Sequence, residues 1–87
     1  MESNAKKILI IEDEKAISDI IKFNLVKEGY LVETAYDGID GLAKALSVGA
    51  DLVLLDIMLP GMDGFEVCRK IREASNVPVL MLTAKEE

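Results

Sequence analysis

Three stretches of this chain are apolar at every position: Ile8-Leu9-Ile10-Ile11, Leu52-Val53-Leu54-Leu55 and Val79-Leu80-Met81-Leu82. A strand with one face in water alternates apolar and polar residues, whereas an uninterrupted apolar run needs cover on both faces. The segments between the runs can supply that cover. Residues 14–28 carry Ile17, Ile20, Ile21 and Leu25 at helical spacing and stop at Gly29. Leu31–Ala35 reads as a further short strand. Asp37-Gly38 then turns into a helix with the stripe Ile39, Leu42, Ala43 and Leu46, ended by Gly49. Residues 64–73, with Phe65, Val67, Cys68 and Ile71, read as a short helix, and Ser75-Asn76-Val77-Pro78 as a turn into the last strand. Strands alternating with helices predict right-handed βαβ units, hence an α/β fold with a doubly wound parallel sheet.

At 87 residues the chain is a single domain, 1–87. Three helices for four strands, with only Lys85-Glu86-Glu87 after the last, make that domain look incomplete. The net charge of −6 argues against direct nucleic-acid binding and suits a cation or a basic partner surface. No apolar run is long enough to span a bilayer, and residues 1–7 lack the apolar stretch of a secretion signal. Cys68 stands alone, so no internal disulfide forms, and a reducing cytoplasm is the simplest compartment. Cys68 also lies on an apolar stripe and reads as core. The absence of histidine excludes a Ser-His-Asp triad, His-ligated zinc and a phosphohistidine on this chain.

Carboxylates follow two of the apolar runs: Glu12-Asp13 after the first, and Asp56 at the mouth of a loop shaped by Pro60, Gly61 and Gly64. In a doubly wound sheet, ligands sit beyond the carboxyl ends of the strands. Glu12, Asp13, Asp56 and Thr83 would all lie on that edge. Three crowded carboxylates repel, and an oxygen-seeking divalent cation resolves the repulsion. With no His or thiolate cluster in support, Mg²⁺ or Mn²⁺ is favoured over zinc. An aspartate beside such an ion can act as a nucleophile toward phosphorus, with the Thr83 hydroxyl as a hydrogen-bond partner for a phosphoryl oxygen.

The runs ILIIEDE, LVLLDIMLPGMDGFEVCRKIR and VPVLMLTAKEE resemble the receiver domain of two-component response regulators, over essentially the whole chain. The resemblance implies a flavodoxin-like sheet in the order 2-1-3-4 and a phosphoryl group accepted by Asp56 from a sensor histidine kinase. It also implies a Mg²⁺ ion held by Glu12, Asp13, Asp56 and the backbone carbonyl of Met58, with Asp13 the more direct ligand. Thr83 would be the switch hydroxyl. The sequence around Asp56 is similar to regulators that carry a winged-helix DNA-binding effector, so transcription control is the implied output. Such a module is a phospho-acceptor rather than an enzyme. Receiver domains continue through a helix, a fifth strand bearing a lysine and a final helix, and this chain is expected to be truncated before them. Lys85 is too close to Thr83 to serve as that lysine.

The bland readings are a strand-end acid for Asp56, helix N-terminal charges for Glu12 and Glu14, and solvated helix faces for Lys22, Lys27, Lys44, Arg69 and Arg72. A dehalogenase-like phosphatase would want a second aspartate where Met58 stands. A flavin or nucleotide binder would want a glycine- or hydroxyl-rich loop where Glu12-Asp13-Glu14 stands. The alternative of another class is self-association: the fourth strand is an open apolar edge, which invites a homodimer or higher assembly by edge pairing or exchange of elements.

Overall fold

A computed structural model describes residues 5–82. It contains β1 (Lys7–Ile11), α1 (Lys15–Lys27), β2 (Leu31–Ala35), α2 (Gly38–Ala45), β3 (Leu52–Asp56), α3 (Gly64–Ala74) and β4 (Val79–Leu82). The four strands form one parallel sheet in the order β2-β1-β3-β4, the doubly wound order expected. β1 and β3 lie in the middle, which is why they had to be apolar throughout: Leu9, Ile10, Ile11, Val53 and Leu55 are fully buried. Burial of each such side chain contributes about 1.5–3 kcal/mol.

The pleat divides these residues between two layers. Leu9, Ile11, Val53 and Leu55 face α2 and α3, where they meet Ala45, Val67 and Ile71. Ile8, Ile10 and Leu54 face the opposite side, against Ile21 and Leu25 of α1. Cys68 packs beside the larger cluster, as a core residue.

All three helices form where the periodicity placed them, yet each turns a somewhat different face to the sheet. In α1, Ser18 is the buried residue, and Ile17 and Ile20 point to solvent. A small serine allows a close approach that a larger side chain would prevent. In α2 the buried positions are Gly38, Gly41 and Ala45, with Leu42 packed on the core, while Ile39 and Leu46 are exposed. Gly41 decides this rotation: a Cβ there would lie 2.7 Å from the Ile11 side chain, so the helix rests on β1 through its glycine. α2 ends at a Leu46 C-cap, short of Gly49. In α3, Val67 and Ile71 are buried and Phe65 is largely exposed. Arg69 is engaged within that helix by Glu66 and Glu73.

Candidate metal centre

Parallel pairing of β1 with β3 sets Ile11 opposite Leu55, so the next residues along, Glu12 and Asp56, emerge side by side at the carboxyl edge. Backbone bonds fix both exits. The Glu12 N–H donates to the Ala35 carbonyl of β2 at 3.0 Å, and the Ile57 N–H donates to the Leu82 carbonyl of β4 at 3.1 Å. The loop after β3 closes on itself when the Gly64 N–H donates to the Ile57 carbonyl at 2.8 Å. Asp63 caps α3 by accepting from the Glu66 N–H at 3.0 Å, which starts the helix directly after the loop.

Carboxylate oxygens of Glu12, Asp13 and Asp56 lie within 4.8 Å of one another. Glu12 and Asp56 are each only 5% exposed, and Asp13 is open to solvent. The backbone orients two of the three: Glu12 Oε2 accepts from the Glu14 N–H at 3.0 Å, and Asp56 Oδ1 accepts from the Met58 N–H at 3.2 Å. Burial pushes the Glu12 carboxyl above its ordinary value, and the neighbouring charges of Asp56, Asp13 and Glu14 push it the same way, partly offset by the Glu14 N–H. The nearest following cation gives no relief. Lys15 lies 5.5 Å from the centre of the Tyr36 ring and 3.9 Å from Asp19. These donors suit a hard divalent cation: three carboxylates, two of them held in place, and no imidazole or thiolate among them.

The raised Glu12 carboxyl has a consequence for the metal-free domain. An acid whose folded-state pKa lies above its unfolded value disfavours folding at all pH above the folded pKa, and the penalty disappears once both states are protonated. Without metal, Glu12→Gln therefore raises the thermal midpoint at pH 7. The gain shrinks as pH falls toward 4.5, the ordinary value for this group. Melting curves of both proteins between pH 4 and pH 7 check this, and a gain that grows toward acid pH contradicts it.

Of the residues singled out in the sequence, Glu12, Asp13 and Asp56 come together. Met58 lies in the adjoining loop with its side chain in solvent, and Thr83 falls outside the described residues. Sequence reasoning missed an apolar groove of about 510 Å³ beside the acidic cluster, bordered by Asp13, Met58, Pro60, Asp63 and Phe65. The available signal was the position of Phe65: with Val67 and Ile71 as the centre of the inward face, it falls toward the outer side of α3.

Residues 8–87 match the family model of the response regulator receiver domain. The chain belongs to that family. Solved receivers agree in both sequence and shape. A CheY-like receiver domain protein from Methanospirillum hungatei JF-1 is 38% identical over 97% of this chain and 68% of its own, with a TM-score of 0.91. TrrA from Thermotoga maritima, solved in complex with Mg²⁺-BeF, is 40% identical over 93% of this chain and 71% of its own, with a TM-score of 0.88. The receiver domain of the sensor histidine kinase PA1611 from Pseudomonas aeruginosa PAO1, with a magnesium ion coordinated in its active-site cleft, is 34% identical over 93% of this chain and 69% of its own, with a TM-score of 0.87. This chain spans between 58% and 72% of the length of the solved chains it is similar to.

Proposed function

We propose that this receiver accepts a phosphoryl group on Asp56 from the phosphohistidine of a sensor histidine kinase, with Mg²⁺ bound at the acidic cluster. The observation that carries the reading is the meeting of Glu12, Asp13 and Asp56 within 4.8 Å, at the ends of adjacent strands, in a member of the receiver family. In the transfer, a carboxylate oxygen of Asp56 forms a bond to phosphorus as the phosphorus–nitrogen bond of the phosphohistidine breaks. The imidazole nitrogen leaves with the electron pair of that bond and takes up a proton. The Met58 N–H binds Asp56 Oδ1 at 3.2 Å and so orients the carboxylate with Oδ2 as the attacking oxygen.

Asp13, Asp56, Glu12 and the Met58 carbonyl would hold the metal, Asp13 most directly because it is exposed at the mouth of the cluster. When bound, Mg²⁺ supplies positive charge against the phosphoryl oxygens. Mn²⁺ shares its preference for oxygen donors. Thr83, the first residue after β4, would hydrogen-bond the phosphoryl group. On this reading the chain is a phospho-acceptor whose product is its own phosphorylated form, and its output is transcription control through a winged-helix effector. The cytoplasm is the compartment we propose. No helix among the described residues is long and apolar enough to cross a membrane.

The test is intact mass after incubation with Mg²⁺ and a small phosphoramidate donor. The expected product carries one phosphoryl adduct, absent when the metal is chelated and absent in Asp56→Asn. A folded protein that gains no adduct, or gains it equally without Asp56, overturns the proposal.

A further inference from the structure

Lys15 is the cation closest in sequence to the acidic cluster, two residues after Asp13. It is also the first residue of α1, where a positive charge opposes the helix dipole and no acidic residue occupies the first turn. Three carboxylates within 4.8 Å of one another would draw it in. It goes elsewhere: its Nζ lies 5.5 Å from the centre of the Tyr36 ring and 3.9 Å from Asp19. The charges acting on Glu12, those of Asp56, Asp13 and Glu14, are accordingly all negative.

The sheet puts Tyr36 in a position to hold this cation. Ile11 pairs with Ala35 on one side and with Leu55 on the other, so at the next position Tyr36 and Asp56 flank Glu12 from opposite sides. The Glu12 N–H donates to the Ala35 carbonyl at 3.0 Å and fixes that level. A cation seated on Tyr36 therefore stands on the β2 side of Glu12, away from Asp56. The ring is itself anchored: hydrogen bonding with the Thr34 side chain lowers the pKa of its hydroxyl, and Lys15 acts in the same direction. An aromatic face attracts an ammonium group through its quadrupole. The Asp19 pair alone is exposed and long, and carries little weight.

We propose that Tyr36 is a positioning residue for the metal centre: its ring holds Lys15 on the β2 side and so leaves the charge of the cluster free for a divalent cation. This role presupposes the metal reading of the cluster. Without the ring, the flexible four-carbon stem lets the ammonium turn toward Asp13 and Glu12, where it competes with the ion.

The experiment is titration of Mg²⁺ against the chain and four variants at one ionic strength, with circular dichroism as the control for folding. Tyr36→Leu keeps apolar bulk without the aromatic face, and is expected to weaken Mg²⁺ binding about threefold. Tyr36→Phe keeps the face and leaves the affinity unchanged. In a Lys15→Gln chain, adding Tyr36→Leu has no further effect, which a merely structural loss of the ring would not show. The readout without metal is the ring-current shift of the Lys15 side-chain protons. It is expected upfield in the parent and in Tyr36→Phe, and lost in Tyr36→Leu. Equal Mg²⁺ affinity in the parent and Tyr36→Leu overturns the proposal, as does a loss shared by Tyr36→Phe or one that persists with Lys15→Gln. Unshifted Lys15 protons in the parent overturn it as well. A parent that binds no Mg²⁺ overturns the metal reading and this role together.

Discussion

Gly64→Ala lowers the stability of this receiver by about 2–4 kcal/mol, which for a domain of this size is a fall of roughly 10–20 °C in thermal midpoint. It weakens Mg²⁺ binding in the same protein. A Cβ at Gly64 would lie 2.6 Å from the Asp56 carbonyl oxygen, 2.6 Å from Ile57 Cα and 2.9 Å from the Ile57 carbonyl oxygen. All three are backbone atoms, so no side-chain rotation relieves the clash. The atoms that must move belong to Asp56 and its neighbour, and the Gly64 N–H bond that closes the loop moves with them. Gly61 is the control. Its φ is +83° and nothing lies within 4 Å of an added Cβ. Gly61→Ala therefore incurs only the backbone penalty, about 1 kcal/mol, and leaves the metal site formed. Melting curves and metal titrations on the two variants separate these effects. A Gly64→Ala protein that melts within about 2 °C of the parent would contradict the steric account.

Asp13→Asn lowers Mg²⁺ affinity by about tenfold or more, and Glu12→Gln by less. The asymmetry follows from what each carboxylate already does. Glu12 is buried with one oxygen accepting from the Glu14 N–H, an arrangement in which it shapes the start of α1 as well as the cluster. Asp13 is exposed and borders the groove, where an arriving hydrated ion would meet it first. A glutamine at position 12 still accepts the same backbone bond and keeps a side-chain oxygen at the cluster, so part of its loss is compensated. Titration of Mg²⁺ against both variants reads the difference directly. Equal losses would show that the assignment of the more direct ligand is wrong.

The sheet and its acidic edge were legible in the sequence because both follow from simple demands. An apolar run with no alternation has to lie inside a covered sheet, and β1 and β3 are its two central strands. Carboxylates placed directly after such runs have to emerge at one edge, and Glu12, Asp13 and Asp56 do. The helix faces were less legible. Periodicity locates a helix and its apolar stripe, but the face that meets the sheet depends on how closely two backbones approach. In α2 that is decided by Gly41 on Ile11, and a glycine has no weight in a search for apolar residues. Hence Ile39 and Leu46, expected inside, lie outside. Ile17 and Ile20 of α1 lie outside for the matching reason that Ser18 takes the inward position. The groove beside Asp13 was hidden by the same effect, since Phe65 counted toward the core of α3 and in fact borders that opening. The place of Thr83 falls outside the described residues.

The central claim is that Asp56, among three neighbouring carboxylates, is the one that takes the phosphoryl group. The most direct test is to phosphorylate the chain with phosphoramidate and Mg²⁺, reduce the acyl phosphate with borohydride and locate the reduced residue by peptide mass spectrometry. The account predicts reduction at Asp56 alone, the carboxylate at the exit of β3 that the Met58 N–H orients. Reduction at Asp13 or Glu12, or at no residue of a folded and metal-loaded protein, would contradict it.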